Sequence, residues 1–160
     1  PYNNIGGVEG LAFDPGSRYG GLLYTGIFSN DAASYRGVYS IDPLGNPVKF
    51  SQNLAWAQQI EFDLGVDFGG FMFVIGANVL GGDKTLWKMD ENGNASLFAE
   101  SDIWQIGGFC FGPDGAMYIS EFTYNGRVST ISRITLIPEP ASGFLLFFGA
   151  CLFVNRKRVK

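Results

Sequence analysis

The sequence contains no histidine. Its absence removes the commonest general base and metal ligand, and with it His-dependent triads and most zinc sites. Cysteine is almost as scarce: Cys110 and Cys151 lie in unlike settings, so neither a disulfide nor a redox compartment follows from them. Positive charge is thin through most of the chain. Residues 1–140 hold seven Lys and Arg against fifteen Asp and Glu, a net charge of −8, and four of the eleven basic residues fall in the last five positions. So acidic a body excludes nucleic acid as a partner, because phosphate binding needs a basic face. Helix-favouring runs are missing until the C-terminus.

What the chain does have is glycine and phenylalanine, 23 and 15 respectively in 160 residues. With 46% hydrophobic residues the body is too apolar for intrinsic disorder, and the glycines predict many short strands joined by tight turns. A repeat organises them. "GLAFDPGSRYGGLLYTG" (10–26) aligns with "QIEFDLGVDFGGFMFVIG" (59–76), and "GFCFGPDGAMYISE" (108–121) is a third copy with a shorter turn. Phe13, Phe62 and Phe111 are each 49 residues apart. Each copy reads as an alternating strand (Leu11/Phe13, Ile60/Phe62, Phe109/Phe111), a turn rich in Asp, Gly and Pro, and an apolar strand.

The second half of the unit also recurs. "GVYSIDPLGNPVKF" (37–50) matches "TLWKMDENGNASLF" (85–98), with Asp-x-x-Gly-Asn between two alternating runs, which is a hairpin signal. One unit is therefore four antiparallel strands in about 49 residues, the size of a β-propeller blade. The predicted fold is all-β: a partial propeller of about three blades over residues 1–136, then a terminal segment over 137–160. A duplicated β-sandwich is the alternative. Closed propellers have about 4–8 blades, and the repeat phase places Pro1 where a preceding unit's fourth strand ends. N-terminal blades are thus expected to be missing, as is a secretory leader, since "PYNNIGGVEG" has neither a basic start nor an apolar stretch.

The terminal segment has three parts. Pro138, Glu139 and Pro140 form an extended spacer that neither sheet nor helix absorbs. Next, residues 141–154 have one polar side chain, Ser142, and the anchor itself spans Gly143, Phe144, Leu145, Leu146, Phe147, Phe148, Gly149, Ala150, Cys151, Leu152, Phe153 and Val154. Fourteen residues of helix would be ~21 Å long, short of the ~30 Å hydrocarbon core. Arg156, Lys157, Arg158 and Lys160 extend its reach by snorkelling and hold the tail on the cytoplasmic side. The prediction is a single C-terminal transmembrane helix. A buried terminal helix of the domain would account for the apolar run, but not for the basic ending.

Pro-Glu-Pro, a short hydrophobic helix and an Arg/Lys-rich terminus, in that order, resemble the PEP-CTERM sorting domain over residues 138–160. The resemblance implies a Gram-negative bacterial protein exported across the inner membrane. It also implies that an exosortase, a membrane processing enzyme, reads Pro138-Glu139-Pro140 and passes the body to the cell surface or the medium, in bacteria that make exopolysaccharide. The body resembles, more loosely, gluconolactonase-like and NHL-type propellers through "EGLAFDPG" and "GGFCFGPDGAMYISE". Fold likeness of this kind says little about activity.

No catalytic residue, metal or cofactor is assigned. Glu9, in "GVEGLAF", is the best enzymatic candidate: in gluconolactonase-like propellers a Glu-Gly pair at this place supplies a carboxylate to a central metal that polarises a lactone carbonyl. Gln58 and Gly107 hold the equivalent positions, and one carboxylate is not a metal site. Asp14, Asp63 and Asp114 recur beside the turns, where capping is a better reading than a calcium loop. Asn94-Ala95-Ser96 is a glycosylation sequon read here only as a strand start. Trp56, Trp87 and Trp104, with Tyr24, Tyr35, Tyr39, Tyr118 and Tyr124, are core or sugar-stacking residues, Trp56 and Trp104 being expected to pack between blades. Cys110 is expected to pack against a neighbouring sheet. The body is read as a binding scaffold toward exopolysaccharide or surface proteins, with a metal-dependent lactonase or esterase as the alternative.

Overall fold

The computed structural model describes residues 7–28, 36–65, 67–79, 81–101, 103–123 and 129–136. Their regular structure is entirely β. The first sheet contains β1 (Gly7–Phe13), β2 (Leu23–Phe28), β3 (Gly37–Ile41) and β4 (Pro47–Lys49). The second contains β5 (Trp56–Phe62), β6 (Met72–Ala77), β7 (Thr85–Met89) and β8 (Ala95–Ala99), and the third β9 (Gln105–Phe111), β10 (Met117–Phe122) and β11 (Ser129–Ile134). In each sheet the strands lie side by side in chain order, all antiparallel.

The turns follow from the local sequence. Between β3 and β4 the Asp42 carboxylate accepts from the backbone N–H of Leu44 and Asn46, both at 2.8 Å, and from the Asn46 amide. Asp90 does the same for Asn92 and Asn94 between β7 and β8. Gly45 and Gly93 sit at φ 85° and 81°, which is the reason the motif requires glycine. β8 begins at Ala95, as the strand-start reading of Asn94 had it.

Two apolar layers hold the sheets together. Tyr24 and Val38 of the first sheet pack with Ile60, Phe62, Met72 and Val74 of the second. The opposite face of the second sheet, Phe73, Ile75 and Leu86, packs with Ile106, Phe109, Met117 and Ile119 of the third. Both faces of the second sheet are covered, so the unbroken apolar run of β6 is buried at every position. Aromatic rings meet edge to face within these layers, as Tyr24 does with Phe50 at 5.0 Å and Phe73 with Phe98 at 5.0 Å. Each large side chain removed from water here contributes roughly 1.5–3 kcal/mol.

The repeat alignment breaks down on one outer face. Ile60 and Phe62 are 3% and 8% exposed, while their counterparts Leu11 and Phe13 are 62% and 64% exposed. Alternation assigns side chains to a face but not a neighbour to that face, and among the described residues no sheet covers this side of β1. The same reason corrects the expectation for Cys110, which lies on the far face of the third sheet and is exposed.

The joins differ in kind. β1 and β2 both lie against β5, so closely that a Cβ on Gly10 would fall 2.2 Å from the Gln58 carbonyl oxygen. The third sheet is held across the gap by one backbone hydrogen bond, from the Ile106 N–H to the Lys84 carbonyl at 3.0 Å, and by a side chain. The Gln59 amide donates to the Phe109 carbonyl at 2.6 Å, accepts from the Phe109 N–H at 3.1 Å, and donates to Glu61 at 2.7 Å.

Among the described residues no helix is long and apolar enough to cross a membrane. The anchor expected over 143–154, the Pro138-Glu139-Pro140 motif and the basic tail lie outside the described residues.

Candidate functional site

The first strand of each sheet is interrupted by a bulge, and the three bulges fall at the aligned positions. In β1 the register shifts between Val8 and Gly10, around Glu9. In β5 it shifts between Ala57 and Ile60, around Gln58 and Gln59. Opposite β9 it shifts between Ser120 and Glu121, around Gly107. A bulge leaves its extra residue unpaired and re-aims the side chain, so Glu9 and Gln58 leave the ladder and turn into a common space.

That space is a cavity of about 380 Å³ bounded by Glu9, Phe28, Trp56, Gln58, Lys84 and Gln105. Trp56 is buried and stands edge-on to Phe28, 5.6 Å between ring centres, which bears out its expected packing between sheets. The Gln58 Oε1 is buried and has no hydrogen-bond partner. A desolvated acceptor left unpaired costs about 1–3 kcal/mol, and this oxygen is enclosed by protein atoms and does not face the cavity. The Gln58 backbone is fixed against Gly10 and Gly26, since no side chain at either would fit beside its carbonyl. The wall is therefore preorganised at Gln58, with the Glu9 carboxylate and the Lys84 ammonium set among aromatic rings.

Sequence alignment paired Glu9 with Gln58 and Gly107. The first two line the cavity, while Gly107 is exposed and contributes no side chain. Gln105, Phe28 and Lys84 were not anticipated, because strand ends and a loop from three sheets bring them together and no spacing in the chain records that. For the metal reading the donor set is thin. Glu9 is the one carboxylate on this wall, and among the described residues no three of His, Cys, Asp and Glu come together.

The recurring aspartates serve the turns. Buried Asp14 accepts from the N–H groups of Gly16, Tyr19 and Gly21 at 3.1, 2.8 and 2.9 Å. Asp63, also buried, accepts from Phe68 and Gly70 at 2.7 and 2.9 Å. Asp114 binds the Ala116 N–H, the Tyr118 hydroxyl and Arg133, which together hold its carboxyl below the usual carboxylate range. With their lone pairs directed at backbone donors, Asp14 and Asp63 form capped turns and not an ion loop.

Of the other aromatic candidates, Tyr24, Tyr39 and Trp87 are core residues, and the Trp87 indole donates to the Gly76 carbonyl at 3.1 Å. Trp104 is half-buried, its ring edge-on to Phe122 at 5.7 Å. Tyr35 and Tyr124 lie outside the described residues. No family model matches the chain, and neither a curated protein nor a solved structure does.

Proposed function

We propose that the chain is an exported binding protein of the bacterial cell surface, built on consecutive β-propeller blades and sorted through its C-terminus. The three meandering sheets share strand order and bulge position, and the second packs on both its neighbours. Both features support the blade reading. Pro138, Glu139 and Pro140 are the motif an exosortase reads, residues 143–154 the transient inner-membrane anchor, and Arg156, Lys157, Arg158 and Lys160 the charges that keep the tail cytoplasmic. The body is a scaffold that binds exopolysaccharide.

The observation that supports binding is the cavity in which Glu9, Gln58, Lys84 and Gln105 stand beside the rings of Phe28 and Trp56. Sugar hydroxyls donate to a carboxylate such as Glu9 and accept from an ammonium such as Lys84, while ring C–H groups rest against aromatic side chains. The test has two parts. Pro138-Glu139-Pro140 is replaced by alanines in an exosortase-positive host, and retained, unprocessed protein is expected; unchanged processing refutes the sorting role. Purified protein is then titrated with exopolysaccharide from that host, where Glu9→Ala is expected to weaken binding about tenfold, as loss of one hydrogen bond to a charged group does.

A second reading, a metal-dependent lactonase or esterase on the same scaffold, draws on the meeting of Glu9 with Gln58 in one cavity. Calorimetry with calcium and zinc separates the two, since uptake abolished by Glu9→Gln favours the hydrolase.

A further inference from the structure

We infer that the ligand is an oligosaccharide of neutral or amino sugars lying across two adjoining cavities, and that uronate-rich polymers are rejected. The inference rests on the saccharide reading above and adds to it the length and charge of the ligand. A second cavity, of about 340 Å³, adjoins the first, and Gly82 is a wall of both. Each lies toward the small end of the ~300–1,000 Å³ range of ligand cavities. Sharing a wall, they offer a chain-like ligand two places to bind at once, and the second engagement is then intramolecular.

The second cavity repeats the chemistry of the first with different residues. Trp104 supplies indole surface, with the edge of the core residue Trp87 behind it, Asn78 an amide, and Asp83 and Glu100 carboxylates. Aromatic rings beside hydrogen-bonding oxygens fit a sugar ring, whose faces are C–H and whose rim is hydroxyl. Asp83 and Glu100 are exposed, which leaves their carboxylates within reach of ligand donors.

Charge decides among the sugars. Glu9, Asp83 and Glu100 face the two cavities, and Lys84 is the one cation on either wall. A uronate brings a third carboxylate beside Asp83 and Glu100, and like charges at that range repel. An ammonium on a hexosamine is attracted by the same pair, and the preference weakens with salt because the groups are solvent-exposed.

The test is calorimetry on the full chain with β-linked glucosamine, glucose and galacturonate hexasaccharides, each with its disaccharide, in low and high salt. In low salt the glucosamine hexamer is expected to bind about fivefold or more tighter than the glucose hexamer, galacturonate more weakly than glucose, and each hexamer tighter than its disaccharide. Asp83→Asn with Glu100→Gln, both at exposed positions, is expected to bring the glucosamine hexamer down to the affinity of the glucose hexamer, and a preference that survives the double change overturns the charge rule. Galacturonate binding as tightly as glucose overturns the charge rule and spares the saccharide reading. Equal affinity for hexamer and disaccharide overturns the two-cavity span. No binding by any of the three, with host exopolysaccharide still bound, overturns this ligand class alone; no binding by the exopolysaccharide either removes the saccharide reading as well.

Discussion

The Tyr19 hydroxyl donates to the Met89 carbonyl at 2.6 Å and accepts from the Met72 N–H at 2.9 Å. One side chain from the β1–β2 turn thus ties together two strands of the next sheet, 53 and 70 residues further along the chain. Tyr19 is buried, and desolvation raises its pKa above the ordinary phenol value. Tyr19→Phe keeps the ring and strands both backbone groups. It is expected to cost about 1–3 kcal/mol in urea unfolding, the penalty of buried polar groups left unpaired.

Two glycines with the same backbone separate two effects. Gly45 and Gly93 hold corresponding positive-φ positions, but a Cβ at 45 meets nothing within 4 Å, whereas a Cβ at 93 falls 2.0 Å from the Phe50 carbonyl oxygen. Gly45→Ala is expected to cost only the left-handed backbone term, about 1–2 kcal/mol. Gly93→Ala must also push the second sheet's turn off the segment after β4. Thermal melts of the two variants are expected to differ by several degrees, with Gly93→Ala the lower.

Burial, reinforced by the nearby Asp14 charge, pushes the Tyr24 hydroxyl up to about 12. In the unfolded chain it ionises near 10. The folded state binds this proton more tightly, so the contribution is fully present below pH 10 and disappears as pH rises toward 12. About 2–3 kcal/mol should be lost over that window. Denaturant midpoints measured from pH 9 to 12 are expected to fall, and Tyr24→Phe to remove most of the fall.

Carboxylates act in opposite directions at the acid end. Hydrogen bonds from Asn46 and Asn94 hold Asp42 and Asp90 below the usual range, as Arg133 and Tyr118 do for Asp114. Depressed values mean stability that is present above about pH 4 and lost as pH falls through the folded pKa. Glu61 is raised, chiefly by desolvation, although Gln59 and the Phe111 N–H donate to it. Its ionised form therefore opposes folding at neutral pH. Glu61→Gln, which keeps an acceptor oxygen, is expected to raise the melting temperature at pH 7 and to have no such effect near pH 3.

The strands and hairpins were legible in the sequence because their causes are local. Asp42, Gly45 and Asn46 make their turn by contacts within five residues, and the period linking Phe13, Phe62 and Phe111 placed the first strand of every sheet. The capping role of Asp14 and Asp63 was legible for the same reason. Other features depended on what lies across a gap. Nothing in the chain distinguishes exposed Phe13 from buried Phe62, and Cys110 required knowledge of the third sheet's outer face. The site was half legible: aligning Glu9 with Gln58 singled out two of its residues. Lys84 and Gln105 come from a loop and a strand start whose spacing carries no periodic signal.

The seam closed by Gln59 makes the architecture lopsided. The first and second sheets meet backbone to backbone at Gly10 and Gly26, while the third is held by the Gln59 amide, one backbone hydrogen bond from Ile106 to Lys84 and one apolar layer. Local opening begins where cohesion is least, so β9–β11 should come away while the other two sheets stay joined. Amide protons of β9–β11 would then exchange with deuterium at lower free energy than those of β5–β7, and a single melting temperature would describe two events of unequal size.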